Sequence, residues 1–501
     1  LFRSTVFSNR GNYSGVYLLD SSQVNMSHIN ISGNVGANNT GVTFYTSSGN
    51  TLEHSIFNNN TVNINAGGLT YNLYGGGIIS IRTHSWNNSF RNISFNANNV
   101  SINGSDSNVR GGGIVGLYWN SSQNTFEDMD FTQNRVWIGD YIVGGGLVGQ
   151  YMNCSTNTFT NLAFNRNRVD IGYRVAGGGL LGGQLWIREP RYQNIQIEGN
   201  TVNISNRIAG GSGIVGSLDY VTDADIYNLT IKGNTVRVGS RVYGSGVFGH
   251  RYCWNMNASM ITIIDNNVTL LSDVQGAGIM GMHHTAGLWN NTFHDFVIEN
   301  NTLSISGYLR GGGLAGSRSV SDITFMDGTI KSNNVTVGSY VMGSPLVGIL
   351  SDSGIRYENN ILNVSITDNI AECSSTLSGG AGIGVYAIAE GNISLNTISR
   401  NNVTSTSDEG MLGIYLGENN TYASNLIDSP NFKSVRIDQS GSNTFTGGSI
   451  NNSGGDAIYL TNDVSDGNTF NNIWLANTDA SFFDLMIASA GIDDTQLVDM
   501  N

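Results

Sequence analysis

Proline and cysteine are scarce in this chain of 501 residues, with three of each. Three prolines exclude collagen-like and Pro-rich architectures, and three cysteines are too few for a disulfide scaffold. Charged residues make up only 12 %, about half the usual share. The 23 basic residues are outnumbered by 37 acidic ones, for a formal charge of −14. Without a basic patch there is no electrostatic footprint for nucleic acid. No run of about 18 apolar residues exists to cross a bilayer as a helix.

The chain is instead rich in 66 Gly and 67 Asn. Gly loses the most conformational entropy in a helix, and Asn competes for the helix's own hydrogen bonds, so a helical fold is disfavoured. Hydrophobic residues, 39 % of the total, are spread evenly enough to bury a core, which argues against disorder.

Two internal ladders run through the sequence. A Gly-rich slot ends at Gly77, Gly113, Gly146, Gly179, Gly213, Gly246, Gly278 and Gly313, with Pro345 and Gly382 in the equivalent places. An Asn two residues before a branched apolar residue keeps step with it, at Asn60, Asn98, Asn134, Asn167, Asn200, Asn234, Asn266, Asn301 and Asn333. Each period holds three short apolar-alternating stretches. In the clearest copy these are marked by Phe159, Leu162 and Phe164, then Val169, Ile171 and Val175, then Leu180 and Leu181. Such alternation is strand periodicity, with no room for a crossover helix. The repeat therefore predicts an all-β parallel solenoid with three strands per coil. Asn suits its bends because it tolerates a left-handed backbone and can hydrogen-bond to the Asn of the next coil. Gly suits close approach of layers.

The flanks repeat faster. Gly15-Val16-Tyr17-Leu18 returns as Gly41-Val42-Thr43-Phe44, and Asn443-Thr444-Phe445 returns as Asn468-Thr469-Phe470. The expected organisation is one continuous solenoid with a short-coil section over 1–50, enlarged coils of about 33 residues over 51–385 and short coils of about 25 over 386–501. That makes about 16 coils, or ~80 Å at about 4.8 Å per coil.

The Asn-Thr-Phe, Gly-Ile-Tyr-Leu and stacked-Asn repeats resemble the right-handed parallel β-helix repeats of the pectin-lyase-like superfamily, in the form common in archaeal and bacterial secreted and surface proteins. The resemblance covers nearly the whole chain and is specific for fold, not function. Enzymes of that superfamily attack acidic polysaccharides. Of the motifs that the polygalacturonase-like members carry, Asn477-Thr478-Asp479 and Asp493-Asp494 occur here in unconvincing contexts, and Gly-His-Gly does not occur. A lyase-like calcium site would have to start from Asp219, Asp223 and Asp225, with Arg207 and Arg241 in adjacent coils. Calcium needs six or more oxygens, so a solvated acidic loop is the preferred reading and no cofactor is assigned. His250, His283 and Cys253 are the best metal candidates, but plain loop packing is the preferred reading for them and for His284. No catalytic or metal-ligating residue is assigned.

Cys154 and Cys253 fall in equivalent loops three coils apart, beyond disulfide reach; with Cys373 elsewhere, three free thiols are expected. The loop after the Gly-rich strand carries Trp86, Tyr118, Trp119, Tyr151, Trp186, Tyr192, Tyr220, Tyr252, Trp254 and Trp289. Stacked at equal phase, these rings would line one edge, where they pack under their own loops, meet a protein or stack on a glycan. Asn-x-Ser/Thr sequons number 23, about twice the chance expectation. Asn92, Asn120, Asn153, Asn228, Asn267, Asn334, Asn392 and Asn402 are the candidate glycosylation sites, and their use would imply export. The ends, Leu1-Phe2 and Ser481 to Ile487, read as coils lacking polar caps, which points to a longer chain or to neighbours stacked on the ends.

Two function classes follow. The first is a non-catalytic extracellular structural protein, a subunit of a cell-surface layer, sheath or appendage that associates with copies of itself. The alternative is a carbohydrate-active or glycan-binding β-helix.

Overall fold

The computed structural model describes residues 5–7, 10–13, 15–65, 72–103, 108–283, 288–351, 356–406, 410–429, 433–452, 455–461, 467–477, 485–487 and 496–498. The chain is an all-β parallel solenoid of about 11 turns with a period of about 33 residues and three sheets. Among the described residues there is no helix. It divides into two compact units, Leu1–Thr262 and Ile263–Asn501.

One coil of the first unit shows how the sequence dictates the path. The long strand Thr125–Thr132 turns Phe126, Met129 and Phe131 inward. The spacing of three and then two arises because Asp128, at φ 55°, bends the strand and consumes one residue of the alternation. Gln133, at φ 55°, makes the next bend. The short strand Arg135–Ile138 then buries Val136 and Ile138. Tyr141–Gly145 and Val148–Tyr151 complete the turn, and they meet at a sharp glycine corner.

The coils stack in register, so identical residues meet. Phe57, Phe95, Phe131 and Phe164 form a column with ring centroids 5.1, 4.7 and 4.8 Å apart. Burying each ring contributes about 1.5–3 kcal/mol. The glycine corner has a steric cause. A Cβ on Gly116 would lie 2.2 Å from the carbonyl oxygen of Gly75 and 2.5 Å from the nitrogen of Gly112, so the two strands touch backbone to backbone.

The buried asparagines satisfy the bends. In the first unit Asn34, Asn60, Asn98, Asn134, Asn167, Asn200 and Asn234 bond in succession, each Nδ2 donating to the Oδ1 of the next at 2.9–3.0 Å. In the second unit Asn266, Asn301, Asn333, Asn369 and Asn401 do the same. The first unit holds a further ladder, Asn50–Asn88–Asn124–Asn157.

Prolines mark local substitutions in this scheme. Asn157 is followed in register by Pro190, which has no side chain to continue the ladder, so its Nδ2 turns to Gln150 Oε1 at 2.8 Å. At Pro345 the missing N–H is replaced by Ser344, whose Oγ donates to the carbonyls of Ala381 and Gly382 at 3.2 and 3.0 Å.

In the second unit the short-strand sheet runs from Asn267–Leu270 to Asn402–Thr404 and ends there among the described residues. Beyond it, register partners stand closer in sequence: Asn420 bonds Asn443, 23 residues on, and Asn443 bonds Asn468, 25 residues on. In the first unit Asn34 and Asn60 are 26 apart.

Candidate functional site

The rings of the predicted edge separate into three environments. Trp86, Trp119, Trp186 and Tyr220 stand in solvent, 43–49 % exposed. Trp119 (φ 45°), Trp186 (φ 53°) and Tyr220 (φ 61°) occupy left-handed bends, which throw the side chain outward. Trp186 and Tyr220 sit on consecutive coils with centroids 6.2 Å apart, and Tyr220 stacks on Trp254 at 5.3 Å. These three rings form a short row, exposed at Trp186 and Tyr220 and half-buried at Trp254.

Tyr118 and Tyr151 point instead into the seam along the outside of the glycine corner, where they stack at 5.6 Å. Tyr192 is a correction to the sequence reading. It lies in the interior, stacked on Phe159 at 5.1 Å, because Arg191–Glu198 is the long strand of its coil and Tyr192 occupies the place of Phe159. Trp289 belongs to the strand Leu288–Glu299, but its side chain lies outside the described residues.

The seam is the part of the first unit where chemistry collects. Its floor is glycine backbone and its walls are the outward residues of the two flanking strands. Arg110 lies 5.6 Å from the rings of Tyr74 and Tyr151 and bonds the hydroxyl of Tyr118. Burial, ahead of that bond, raises the Tyr118 hydroxyl above its ordinary range. Arg174 stacks on Tyr141 at 5.0 Å. From the other wall Arg251 stacks on Tyr252 at 4.6 Å, donates Nη2 to its hydroxyl at 3.0 Å and donates Nη1 to the carbonyl of Ala209.

Asp219, at φ 57° and half-buried, enters between these walls with Arg251 and Arg174 as its charged neighbours and a hydrogen bond from Gln184. Burial nevertheless holds its carboxyl above the usual carboxylate range, against the pull of both arginines. In the second unit the corresponding strands enclose a polar cavity of about 170 Å³ lined by Ser378, Tyr415, Arg436 and Asp438 among others.

A second polar cluster lies inside the first unit. The inward column Phe44–Ile81–Leu117–Gln150–Gly183–Ser217–His250 changes from apolar to polar midway. Gln150 Nε2 donates to the hydroxyl of Tyr192 at 2.9 Å. Ser217 Oγ meets His250 Nδ1 and lies 3.3 Å from Cys253 Sγ. His250 Nε2 is buried with no partner and borders a small cavity also lined by Gly183, Tyr192 and Ser217. Burial pushes the His250 pKa down to about 3 and the Cys154 and Cys253 thiols up to about 12. These thiols are inert at neutral pH.

The other sequence candidates are dispersed. Asp223 is exposed and accepts from Asn255 Nδ2 at 3.0 Å, while Asp225 belongs to the long-strand sheet. Asp219 faces the seam away from them, so the run Asp219 to Asp225 is not gathered into one site. Among the described residues no three His, Cys, Asp or Glu side chains are placed to hold a metal. Cys154, Cys253 and Cys373 are free and buried. His284, Thr478, Asp479, Asp493 and Asp494 lie outside the described residues.

The sequons divide by exposure. Asn92, Asn228, Asn267, Asn334 and Asn402 are exposed, and Asn120, Asn153 and Asn392 are half-buried. Ladder and sequon asparagines are often neighbours of opposite fate: Asn266 and Asn333 are buried, Asn267 and Asn334 exposed.

Sequence reading missed Arg110, Tyr141, Arg174, Gln184 and Arg251. The signal was present: each is an outward residue of the strands flanking the glycine slot, and aligning coils on that slot puts Tyr141 with Arg174 in one column, Gln184 with Arg251 in the facing one and Arg110 two residues along the first strand.

No protein-family model matches the chain, and no curated protein matches it. Among solved structures, the tailspike protein of E. coli bacteriophage HK620 is similar in several mutant forms. A double mutant is 13 % identical at a TM-score of 0.34, over 88 % of this chain and 72 % of the tailspike. A form in complex with a pentasaccharide is 12 % identical at 0.31 over the same shares. The PL6 family alginate lyase AlyGC is 10 % identical at 0.18, over 99 % of this chain and 97 % of the lyase. What this chain shares with both is the parallel β-helix fold.

Proposed function

We propose that the chain is an extracellular glycan-binding β-solenoid, with its binding face in the first unit where the row Trp186–Tyr220–Trp254 borders the seam. The observation that carries this reading is the pair Trp186 and Tyr220, on consecutive coils, each nearly half exposed. Amphipathic rings offer an apolar face or edge to a sugar and a polar tip to its hydroxyls. Asp219, Gln184, Arg174 and Arg251 add hydrogen-bonding groups beside them.

Binding is favoured over hydrolysis. Acid–base cleavage of a glycosidic bond uses two carboxyl groups flanking it, whereas the charged groups acting on Asp219 from the seam walls are Arg251 and Arg174. We further propose that shorter coils toward both ends bring the count to about sixteen, on the support of the 26-, 23- and 25-residue Asn partners.

A glycan array followed by calorimetry on the intact chain tests the function. Trp186→Ala and Tyr220→Ala are each expected to weaken binding by about tenfold, since an anchor ring is worth more than about 1 kcal/mol. If no glycan binds, and sedimentation shows concentration-dependent association that the same substitutions abolish, the row is a self-association surface and the reading falls.

A further inference from the structure

Arg174 and Arg207 stand in register on consecutive coils of the same wall of the seam. Strand spacing puts their backbones about 4.8 Å apart. Like charges on adjacent coils repel each other, and nothing in the parallel register requires arginine there: Tyr141 and Asn108 fill the same column one and two coils earlier. Arg251 approaches Asp219 from the opposite wall. The Nε–H groups of Arg174, Arg207 and Arg251 are all buried without an acceptor. A buried unsatisfied donor is costly, and a charged one more so. Arg174 and Arg251 both act on the carboxylate of Asp219, and Arg207 follows Arg174 in the same column, so positive groups outnumber that carboxylate here. The seam is also short of acceptors on two walls at once.

We propose that this part of the seam, at Arg174, Arg207 and Arg251, is a binding site for a tetrahedral oxyanion, a sulfate or phosphate ester. A planar carboxylate is satisfied by one guanidinium fork in its own plane. Donors arriving from both walls and from two stacked coils suit an anion that presents oxygens in several directions and carries up to two charges.

Asp219 is the modulating residue. The charged and titratable groups acting on it are Arg174 and Tyr141 from one wall, Arg251 from the other and Cys253 from the interior, with Gln184 as its neutral hydrogen-bond partner. Ionised Asp219 repels the incoming anion, whereas protonated Asp219 donates a hydrogen bond to it. Affinity therefore rises as pH falls. Burial has moved the carboxyl above its ordinary range, so the rise begins above the pH at which an exposed aspartate would titrate.

This deepens the glycan reading and rests on it only for the identity of the molecule that carries the ester. The test is calorimetric titration of the intact chain with sodium sulfate at constant ionic strength, since sulfate keeps its charge between about pH 8 and pH 4. Arg174→Gln and Arg207→Gln should each weaken sulfate binding by about tenfold or more. Asp219→Asn should tighten it near pH 7 and remove its pH dependence. Arg174→Lys, which keeps the charge but loses the fork, should weaken it also; thermal melts establish that each variant folds.

No sulfate binding by the wild-type chain, binding unaffected by both Gln variants, or weaker binding in Asp219→Asn would overturn the proposal. A second arm compares sulfated, phosphorylated and unsubstituted oligosaccharides. Binding of unsubstituted sugars with no response to sulfate defeats the anion site and leaves the glycan reading standing. Arginine-dependent sulfate binding with no affinity for any sugar does the reverse.

Discussion

His250 shows how one buried residue ties the interior to solution conditions. The same inward column carries Leu117 and Ile81 four and five coils away, so an aliphatic side chain suits its geometry. The imidazole is held neutral: burial lowers its pKa from 6.5 to about 3. The unfolded chain binds a proton near pH 6.5 that the folded chain refuses, so stability is full above that pH and falls as the pH drops toward 3. The loss reaches a few kcal/mol. Urea unfolding between about pH 7 and pH 4 should show this decline in the wild-type chain and a flatter profile in His250→Leu. Identical slopes in the two would mean that the ring is solvated. Histidine 250 was legible as unusual because the sequence holds only seven histidines, but nothing in its spacing said that it faces inward beside Ser217.

At the scale of the element, the Asn ladders do more for this fold than any single hydrophobic contact. Asn167 alone donates Nδ2 to Asn200 Oδ1 at 2.9 Å and to the Phe131 carbonyl at 2.7 Å. Its Oδ1 accepts from the backbone and side chain of Asn134 at 2.9 and 3.0 Å. Asn167→Ala would take partners from Asn134 and the Phe131 carbonyl in one neighbouring coil and from Asn200 in the other, each lost bond costing about 1–3 kcal/mol. A destabilisation of several kcal/mol is expected in denaturant unfolding. Hydrogen exchange should accelerate first at the coils around residues 134 to 200, because neighbours in a solenoid support only one another. Uniform exchange throughout the first unit would show that the ladder is not local in its effect.

This ladder was readable as a period of Asn before a branched residue. The second ladder, Asn50 to Asn157, is harder to read from the sequence because Pro190 stands in the place of its next asparagine. Tyr192 was misread for a related reason. The Asn157-Thr158-Phe159 marker becomes Pro190-Arg191-Tyr192 in the next coil, so the match of Arg191-Tyr192-Gln193 to Thr158-Phe159-Thr160 is hidden unless coils are aligned on the long strand.

Over the whole molecule, the sequons form a set whose members differ in access although the repeat makes them look alike. Exposed Asn92, Asn228, Asn267, Asn334 and Asn402 should carry glycan if the native chain is glycosylated, and the ladder asparagines Asn266 and Asn333 beside two of them should not. Glycopeptide mass spectrometry of native material checks this. Finding none of the exposed sites occupied would remove the support that sequons lend to an exported protein. No helix among the described residues is long and apolar enough to cross a membrane.

The sequence by itself determined the parallel solenoid, its period and its inward columns. In a repeat fold each inward residue meets its own equivalent one coil away, so the packing is written as a one-dimensional recurrence. Glycine and asparagine could be placed for the same reason, since backbone approach and bend geometry recur with every coil. Only the tertiary structure decided the candidate site. Outward residues are under no such recurrence, and bends with positive φ set their direction. Arg174 therefore meets Tyr141 and Asp219, and Arg251 reaches the same aspartate across a corner that glycine alone allows to close.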